Sequence, residues 1–243
     1  MRFDLPRNVI LPVDEIDVRL DAAPHPFERD NLPAIEQSWL RETAINPHIF
    51  DGAVALLSEL SYHEDRLAGR CHIVRYATFM YWRRNREAPN AGHAFAHAML
   101  VSSDGALVAI RMGPHTANAG RVYFAAGSFE LEDFRDGRVD VAYNMRREVE
   151  EEIGIDLAEA ETEAGSRYYL LSTRTGTVIF RRYQAKFTAN QLVNRINAFL
   201  STQERPEVAG PVVIHSANDL PDDLAPHMKP LVEWHFSNER PER

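Results

Sequence analysis

A single cysteine, Cys71, among 243 residues excludes an internal disulfide and any cysteine-rich zinc site. Its expected place is a buried structural thiol. The opening residues Met1-Arg2-Phe3-Asp4-Leu5-Pro6 lack the apolar core of a signal peptide, and no run approaches membrane-spanning length. A soluble cytoplasmic protein with no membrane partner is expected. Positive charge is also short, with 27 Lys and Arg against 36 Asp and Glu, a net −9. Residues 127 to 163 hold thirteen of the acids and four arginines, so this segment carries the whole excess and the remainder is neutral. A surface of that sign repels polyanions, which argues against a nucleic-acid partner. A small phosphorylated molecule carried with a cation is still compatible. Internal repeats and low-complexity tracts are missing too, and 44% hydrophobic residues are enough for a sizeable core.

From about Gly92 the chain alternates as an α/β unit. Ala94 to Ser102 and Ala106 to Met112 read as strands joined by the turn Ser103-Asp104-Gly105. Arg121 to Ala126 reads as another, followed by a helix over 140–153, strands at Tyr168 to Ser172 and Thr177 to Thr188, and an amphipathic helix from Ala189 to Leu200. A short strand at Pro211 to His215 and a terminal helix within Asp219 to Phe236, shortened by Pro221, Pro226 and Pro230, complete the pattern. Residues 1–88 are expected to form an N-terminal α+β subdomain, and 89–243 the second domain. In the first, Val9 to Leu20 alternates in part, Leu32 to Ala44 looks helical, and Ala53 to Ser61 and Cys71 to Tyr81 suggest strands. The polar, basic stretch from Trp82 to Asn90 marks the boundary.

The most informative residues are Arg147-Glu148-Val149-Glu150-Glu151-Glu152-Ile153-Gly154-Ile155. At about 100° per residue, Glu148, Glu151 and Glu152 fall within roughly a 100° arc, while Glu150 points to nearly the opposite side. Ala142, Met145, Val149 and Ile153 form an adjoining apolar stripe, so one face can dock on a core while the acids line a cleft. Asp140 suits an N-cap and Gly154 the C′ position. Like charges at i, i+3 and i+4 repel, so the arrangement needs either open solvent or a shared cation. Hard divalent ions, Mg²⁺ above all, take such oxygen ligands.

At these residues the chain resembles the Nudix family, whose box reads Gly, five residues, Glu, seven residues, then Arg-Glu-aliphatic-x-Glu-Glu-x-Gly-aliphatic. The second half fits without a gap. In the first half Gly127 is followed after five residues by Asp133 rather than Glu, and thirteen residues rather than seven separate Asp133 from Arg147. Phe134 to Val139 therefore reads as a six-residue expansion, with Glu130 and Glu132 competing with Asp133 for the displaced acidic role. The resemblance implies an α/β/α sandwich with a mixed sheet. It also implies a Mg²⁺- or Mn²⁺-dependent pyrophosphohydrolase, with Glu148, Glu151 and Glu152 as metal ligands and Arg147 orienting a box glutamate. Its substrate would be a small nucleoside diphosphate derivative, and a homodimer would fit the family.

Outside the helix, Glu207, with Glu204 beside it, is a candidate base or further ligand in a loop between helix and strand. Arg111 could meet a substrate phosphate alongside Gly127, or form a surface salt bridge. His93 and His97 lie four apart, which in a strand places both on one face without a metal. The run Asn46 to Gly52, with Trp39 and Tyr76 to Phe79, is similar to the front region of Nudix members that cleave UDP-glucose-type substrates; the other reading is a turn followed by a strand. UDP-sugars and ADP-ribose are the expected substrates. A CoA-cleaving enzyme is a further alternative, although Ala126-Gly127 replaces the usual double glycine. A non-catalytic metabolite sensor on the same fold and a structural partner-binding module are the remaining ones.

Overall fold

Short segments rich in Ile, Val and Leu open the chain: β1 (Phe3–Asp4), β2 (Ile10–Val13) and β3 (Glu15–Leu20) precede the long helix α1 (Pro26–Ile45) in the computed structural model, which describes residues 3–164 and 167–237. Met1, Arg2 and residues 238–243 lie outside the described residues. The helix starts six residues before the expected Leu32. Pro26 at its first position has no N–H to waste, and the His25 ring accepts from the Phe27 N–H at 3.0 Å.

β4 (Ala53–His63) and β5 (Arg66–Arg75) follow as an antiparallel hairpin whose turn residues Glu64 and Asp65 both have positive φ, 49° and 58°. The strand expected from Cys71 to Tyr81 ends at Arg75. Tyr76 begins helix α2 (Tyr76–Arg84), because Asp51 Oδ1 accepts from the Ala77 N–H at 2.9 Å and satisfies a first-turn donor. Tyr, Thr and Phe favour strands when read locally; this tertiary cap overrides them. The basic stretch expected as a boundary thus starts as the last turn of α2.

β6 (Ala94–Val101) and β7 (Leu107–Met112) flank the expected turn, where Gly105 has φ +86° and donates to Ser102 O. Only β8 (Val122–Tyr123) remains of the strand expected over 121–126. After a 3₁₀ turn at Leu131–Asp133, the six-residue expansion forms a miniature hairpin, β9 (Phe134–Arg135) and β10 (Arg138–Val139). Its two turn residues, Asp136 and Gly137, have φ 50° and 74°, the doubly positive conformation that lets two strands reverse within two residues. The acidic helix is α3 (Val141–Ile153), capped as expected: Asp140 Oδ1 accepts from the Tyr143 N–H at 2.9 Å, and Gly154, at φ +67°, donates to Glu150 O. A short helix α4 (Leu157–Ala160) and strands β11 (Glu161–Ala164), β12 (Tyr168–Thr173) and β13 (Gly176–Ala185) lead to α5 (Ala189–Leu200), β14 (Val208–Ile214) and α6 (Met228–Ser237). The terminal helix begins nine residues later than the earliest start considered, past Pro221 and Pro226, leaving only Pro230 in its first turn.

The chain forms two compact units. The first comprises Met1–Ala96, Ser128–Asn144 and Arg167–Ile179. Its sheet has the order β1-β4-β5-β3-β10-β9, with parallel pairs β1/β4 and β3/β5 and antiparallel pairs elsewhere. Phe27 of α1 and Phe79 and Trp82 of α2 pack with Val54, Leu56 and Val74 of the β4–β5 hairpin as a buried cluster. β12 pairs with β2 in the same unit, Tyr168 opposite Val13.

The second unit comprises His97–Gly127, Met145–Ser166 and Phe180–Arg243. Here β14, β7, β6 and β13 run side by side in that order, and Val208–Ile214 pairs antiparallel along Leu107–Met112. Helix α5 packs on β14 and β7. Met145, Val149 and Ile153 are buried, as the expected apolar stripe of α3 requires. The α/β class with mixed sheets follows from this arrangement. Among the described residues no helix is long and apolar enough to cross a membrane.

Candidate functional site

Met145, Val149 and Ile153 are sunk in the core, and the adjoining edge of α3 presents its acids to a cleft. Glu148, Glu151 and Glu152 line a cavity of about 220 Å³ in the second unit. The end of α5 and the loop after it supply the other wall, with Phe199, Gln203, Arg205 and Glu207. Four carboxylates and one arginine therefore face one small space. Glu204 is not among its lining residues, so of the two loop acids considered it is Glu207 that reaches the site.

Arg147 holds two of these acids in place. Its guanidinium contacts Glu148 Oε1 at 2.7 Å and Glu151 Oε2 at 2.9 Å. Glu148 and Arg147 are nearly buried, at 11% and 10% side-chain exposure, whereas the Glu151 side chain is 57% exposed, so only the Glu148 contact is shielded from solvent. The loop before the 3₁₀ turn closes on the same helix. Ala126 N–H donates to Glu152 Oε2 at 2.9 Å. A Cβ added at Gly127 would fall within 2.5 Å of Oε1, Cδ and Oε2 of Glu148. Gly127 thus allows the Glu148 carboxylate an approach that any Cβ here would force it to give up.

Electrostatically the site is short of positive charge. Burial pushes the Glu152 carboxyl well above the usual range, and the Glu148 charge pushes it further. The Ala126 N–H opposes this, while Glu207 and Glu151 add to it. Without a cation the cheapest way to relieve such repulsion is to keep a proton on Glu152. Among the described residues no three His, Cys, Asp or Glu side chains are gathered closely enough to form a finished metal cage. Arg147 accounts for part of this by drawing on two of the acids. The donor set is nevertheless all oxygen, carries excess negative charge and fits a hard divalent ion that also takes ligands from substrate and water.

The remaining candidates fall elsewhere. Arg111 forms an ion pair with Asp223 and donates to Gly120 O at 3.3 Å; it does not line the acidic cavity. The salt-bridge alternative describes it. Asp133 is fully buried and spends Oδ2 on the Glu130 N–H at 2.8 Å and on Asn144 Nδ2 at 2.9 Å, tying the 3₁₀ turn to the start of α3. His93 meets Ser128 Oγ at 2.9 Å, and His97 meets Phe124 O and His227 Nε2, each at 3.0 Å, so the two histidines serve separate partners. Cys71 is buried, and burial raises its thiol pKa to about 12, which makes it inert. In the run from Asn46 to Gly52, Asp51 serves the α2 cap and an ion pair with Arg75 at 2.6 Å, and β4 starts at Ala53: a turn followed by a strand.

Sequence reasoning missed Phe199, Gln203 and Arg205, which lie some fifty residues from the box. The only signal for them was adjacency to Glu207. It also missed the His97–His227 contact, whose two members are 130 residues apart.

No protein-family model matches the chain, and no curated protein does. Among solved structures it is similar to the MutT protein from Methanosarcina mazei Go1, at 14% identity and TM-score 0.40, over 61% of this chain and 95% of that one. The DR0079 protein from Deinococcus radiodurans gives 13% identity and TM-score 0.45 over 76% and 99% of the two chains. The E. coli ORF135 protein gives 18% and 0.37 over 63% and 96%. At such scores these likenesses say nothing of chemistry, which rests on the residues themselves.

Proposed function

We propose that the acidic cavity is the catalytic centre of a divalent-metal-dependent pyrophosphohydrolase of Nudix type, acting on a nucleoside diphosphate linked to a second group. UDP-sugars and ADP-ribose are the first substrates to test. The observation that carries this reading is the wall of Glu148, Glu151, Glu152 and Glu207 around one small cavity, where burial and then the Glu148 charge raise the Glu152 pKa.

Glu148, Glu151 and Glu152 would hold Mg²⁺ or Mn²⁺, which when bound offsets the negative charge of the diphosphate and makes water a better nucleophile. The chain's own residues do the rest. Arg147 fixes the orientation of the Glu148 and Glu151 carboxylates through a fork of two nitrogens. The Ala126 N–H fixes Glu152 from the loop side. Glu207, exposed on its loop, is the carboxylate available to accept a proton from the attacking water through its side-chain oxygens. Phe199 and Pro206 add apolar surface to the cavity lining.

The test is product analysis by mass spectrometry after incubation with Mg²⁺ or Mn²⁺ in ¹⁸O-water, using UDP-glucose, ADP-ribose, NADH, FAD, CoA and nucleoside triphosphates. Metal-dependent cleavage with one ¹⁸O in a phosphate product is expected. A folded protein that cleaves none of them overturns the reading and returns weight to a metabolite sensor.

A further inference from the structure

A second and larger cavity, about 760 Å³, lies wholly within the first unit and carries charge of the opposite sign. Its charged lining consists of Arg7, Arg86, Arg174 and Glu87. Arg174 and Glu87 neutralise each other at 2.6 Å. That leaves two arginines, and among the described residues neither Arg7 nor Arg86 has an acidic partner. In a chain with a net charge of −9 acids are plentiful, yet the one acid lining this cavity, Glu87, is paired with Arg174.

Arg86 is the more telling of the two. It is half-buried, its Cζ lies 6.0 Å from the centre of the Trp82 ring, and its Nε is buried with no hydrogen-bond partner. A guanidinium presents five donors in a fixed fork, and leaving a buried one unmet is unfavourable. Burial and the neighbouring Arg83 charge lower its pKa, as expected for a cation held without its counter-ion. His93 offers no compensation, since burial and these same arginines hold it neutral with a pKa of about 3. Ser172, Thr173 and Thr177 add hydroxyls and Asn90 an amide, while Phe3, Leu57 and Trp82 supply apolar surface. The volume is in the range of a small-molecule site.

The geometry points to a binding site for a small organic anion, a phosphate or carboxylate on a hydroxyl-bearing body, with Arg86 and Arg7 as its charge partners. It is separate from the acidic cavity and needs no metal. A phosphate or carboxylate accepts from the exposed edge of an arginine guanidinium in charge-assisted pairs, which would neutralise both cations.

Isothermal titration calorimetry on the full chain in EDTA tests this, because chelation removes any metal-borne affinity at the acidic cavity. The probes are glucose 1-phosphate, citrate and, as a neutral control, glucose. One equivalent of glucose 1-phosphate or citrate is expected to bind, and which of them does so tells phosphate from carboxylate. Arg86→Gln should weaken that binding at least tenfold and Arg7→Ala at least threefold, with glucose silent throughout. Arg7 is exposed, so its variant folds even if Arg86→Gln does not. Binding that is equal in wild type and Arg7→Ala, or no binding of either anion, overturns the proposal. Neither outcome bears on hydrolysis, which needs metal and is read from products.

Discussion

Replacing Gly127 by alanine is the sharpest probe of the acidic site, because a single methyl has nowhere to go except into the Glu148 carboxylate. The added Cβ would sit within 2.5 Å of Oε1, Cδ and Oε2, and ordinary contact begins near 3.5 Å, so the carboxylate must shift by roughly 1 Å or more. Its side chain is the flexible partner and yields before the backbone does. In yielding it leaves the Arg147 contact at 2.7 Å, a charge-assisted pair in which both side chains are only about a tenth exposed. Losing such a bond costs about 1.5–3 kcal/mol, and for a chain of this size each kcal/mol shifts Tm by roughly 2–4 °C. A fall of about 3–12 °C is therefore expected by differential scanning calorimetry. Displacing a proposed metal ligand by this distance should also lower kcat by about a hundredfold, read by chromatography of the two phosphomonoester products from the substrate identified in the ¹⁸O screen. Gly210→Ala is the control: a Cβ there meets nothing within 4 Å, so it should leave both quantities unchanged. A Gly127→Ala protein with wild-type Tm and wild-type turnover would refute the close approach of loop and helix on which the site depends.

Three further outcomes follow from the same geometry. Glu151→Gln removes an exposed proposed metal ligand and should cut turnover at least about a hundredfold with little change in Tm; equal activity would show that Glu151 holds no metal. Glu152 has a raised pKa, so its contribution to stability is present below the ordinary glutamate value of 4.5 and is lost as pH rises through the folded value. The Tm of the chelated protein should therefore decline over that rise, less steeply in Glu152→Gln, and a variant that follows the wild-type profile would contradict the assignment. His227, lowered by burial from 6.5 to about 4, acts in the opposite sense: its contribution is present above pH 6.5 and lost as pH falls towards 4. Urea denaturation between pH 7 and 4 should show this loss, and His227→Gln, neutral throughout, should shrink it.

The parts of this protein that were legible in its sequence are those set by local periodicity. Helix α3 could be placed from its 3.6-residue stripe, its Asp140 cap and its Gly154 stop, because each is a property of neighbouring residues. Helix α5 and the turn at Gly105 were readable for the same reason. Tyr76 to Tyr81 was not, since its conformation is decided by a carboxylate twenty-five residues away, at Asp51. Likewise the six residues inserted before α3 looked like a passive loop. The Asp136-Gly137 pair makes them a hairpin, and β10 then joins β3 through Arg138 opposite Arg19. In the acidic cavity the three glutamates of α3 were legible from spacing alone, whereas Phe199, Gln203 and Arg205 reach it only through the packing of α5. Arg86, read as part of a polar boundary, becomes noteworthy only when its buried Nε is seen to lack a partner.

That small hairpin also shapes how the molecule behaves in a crowded solution. The six-stranded sheet terminates on one side in β9 and on the other in β1, each two residues long and each carrying a charged side chain, Arg135 and Asp4. Two residues offer too few free amide and carbonyl groups to template a foreign strand, and a charge at the rim makes pairing costlier still. The long strands β4 and β5 lie inside these guards. Deleting Phe134 to Val139 would uncover β3 as the new rim and expose its free amide and carbonyl groups as a template for self-association.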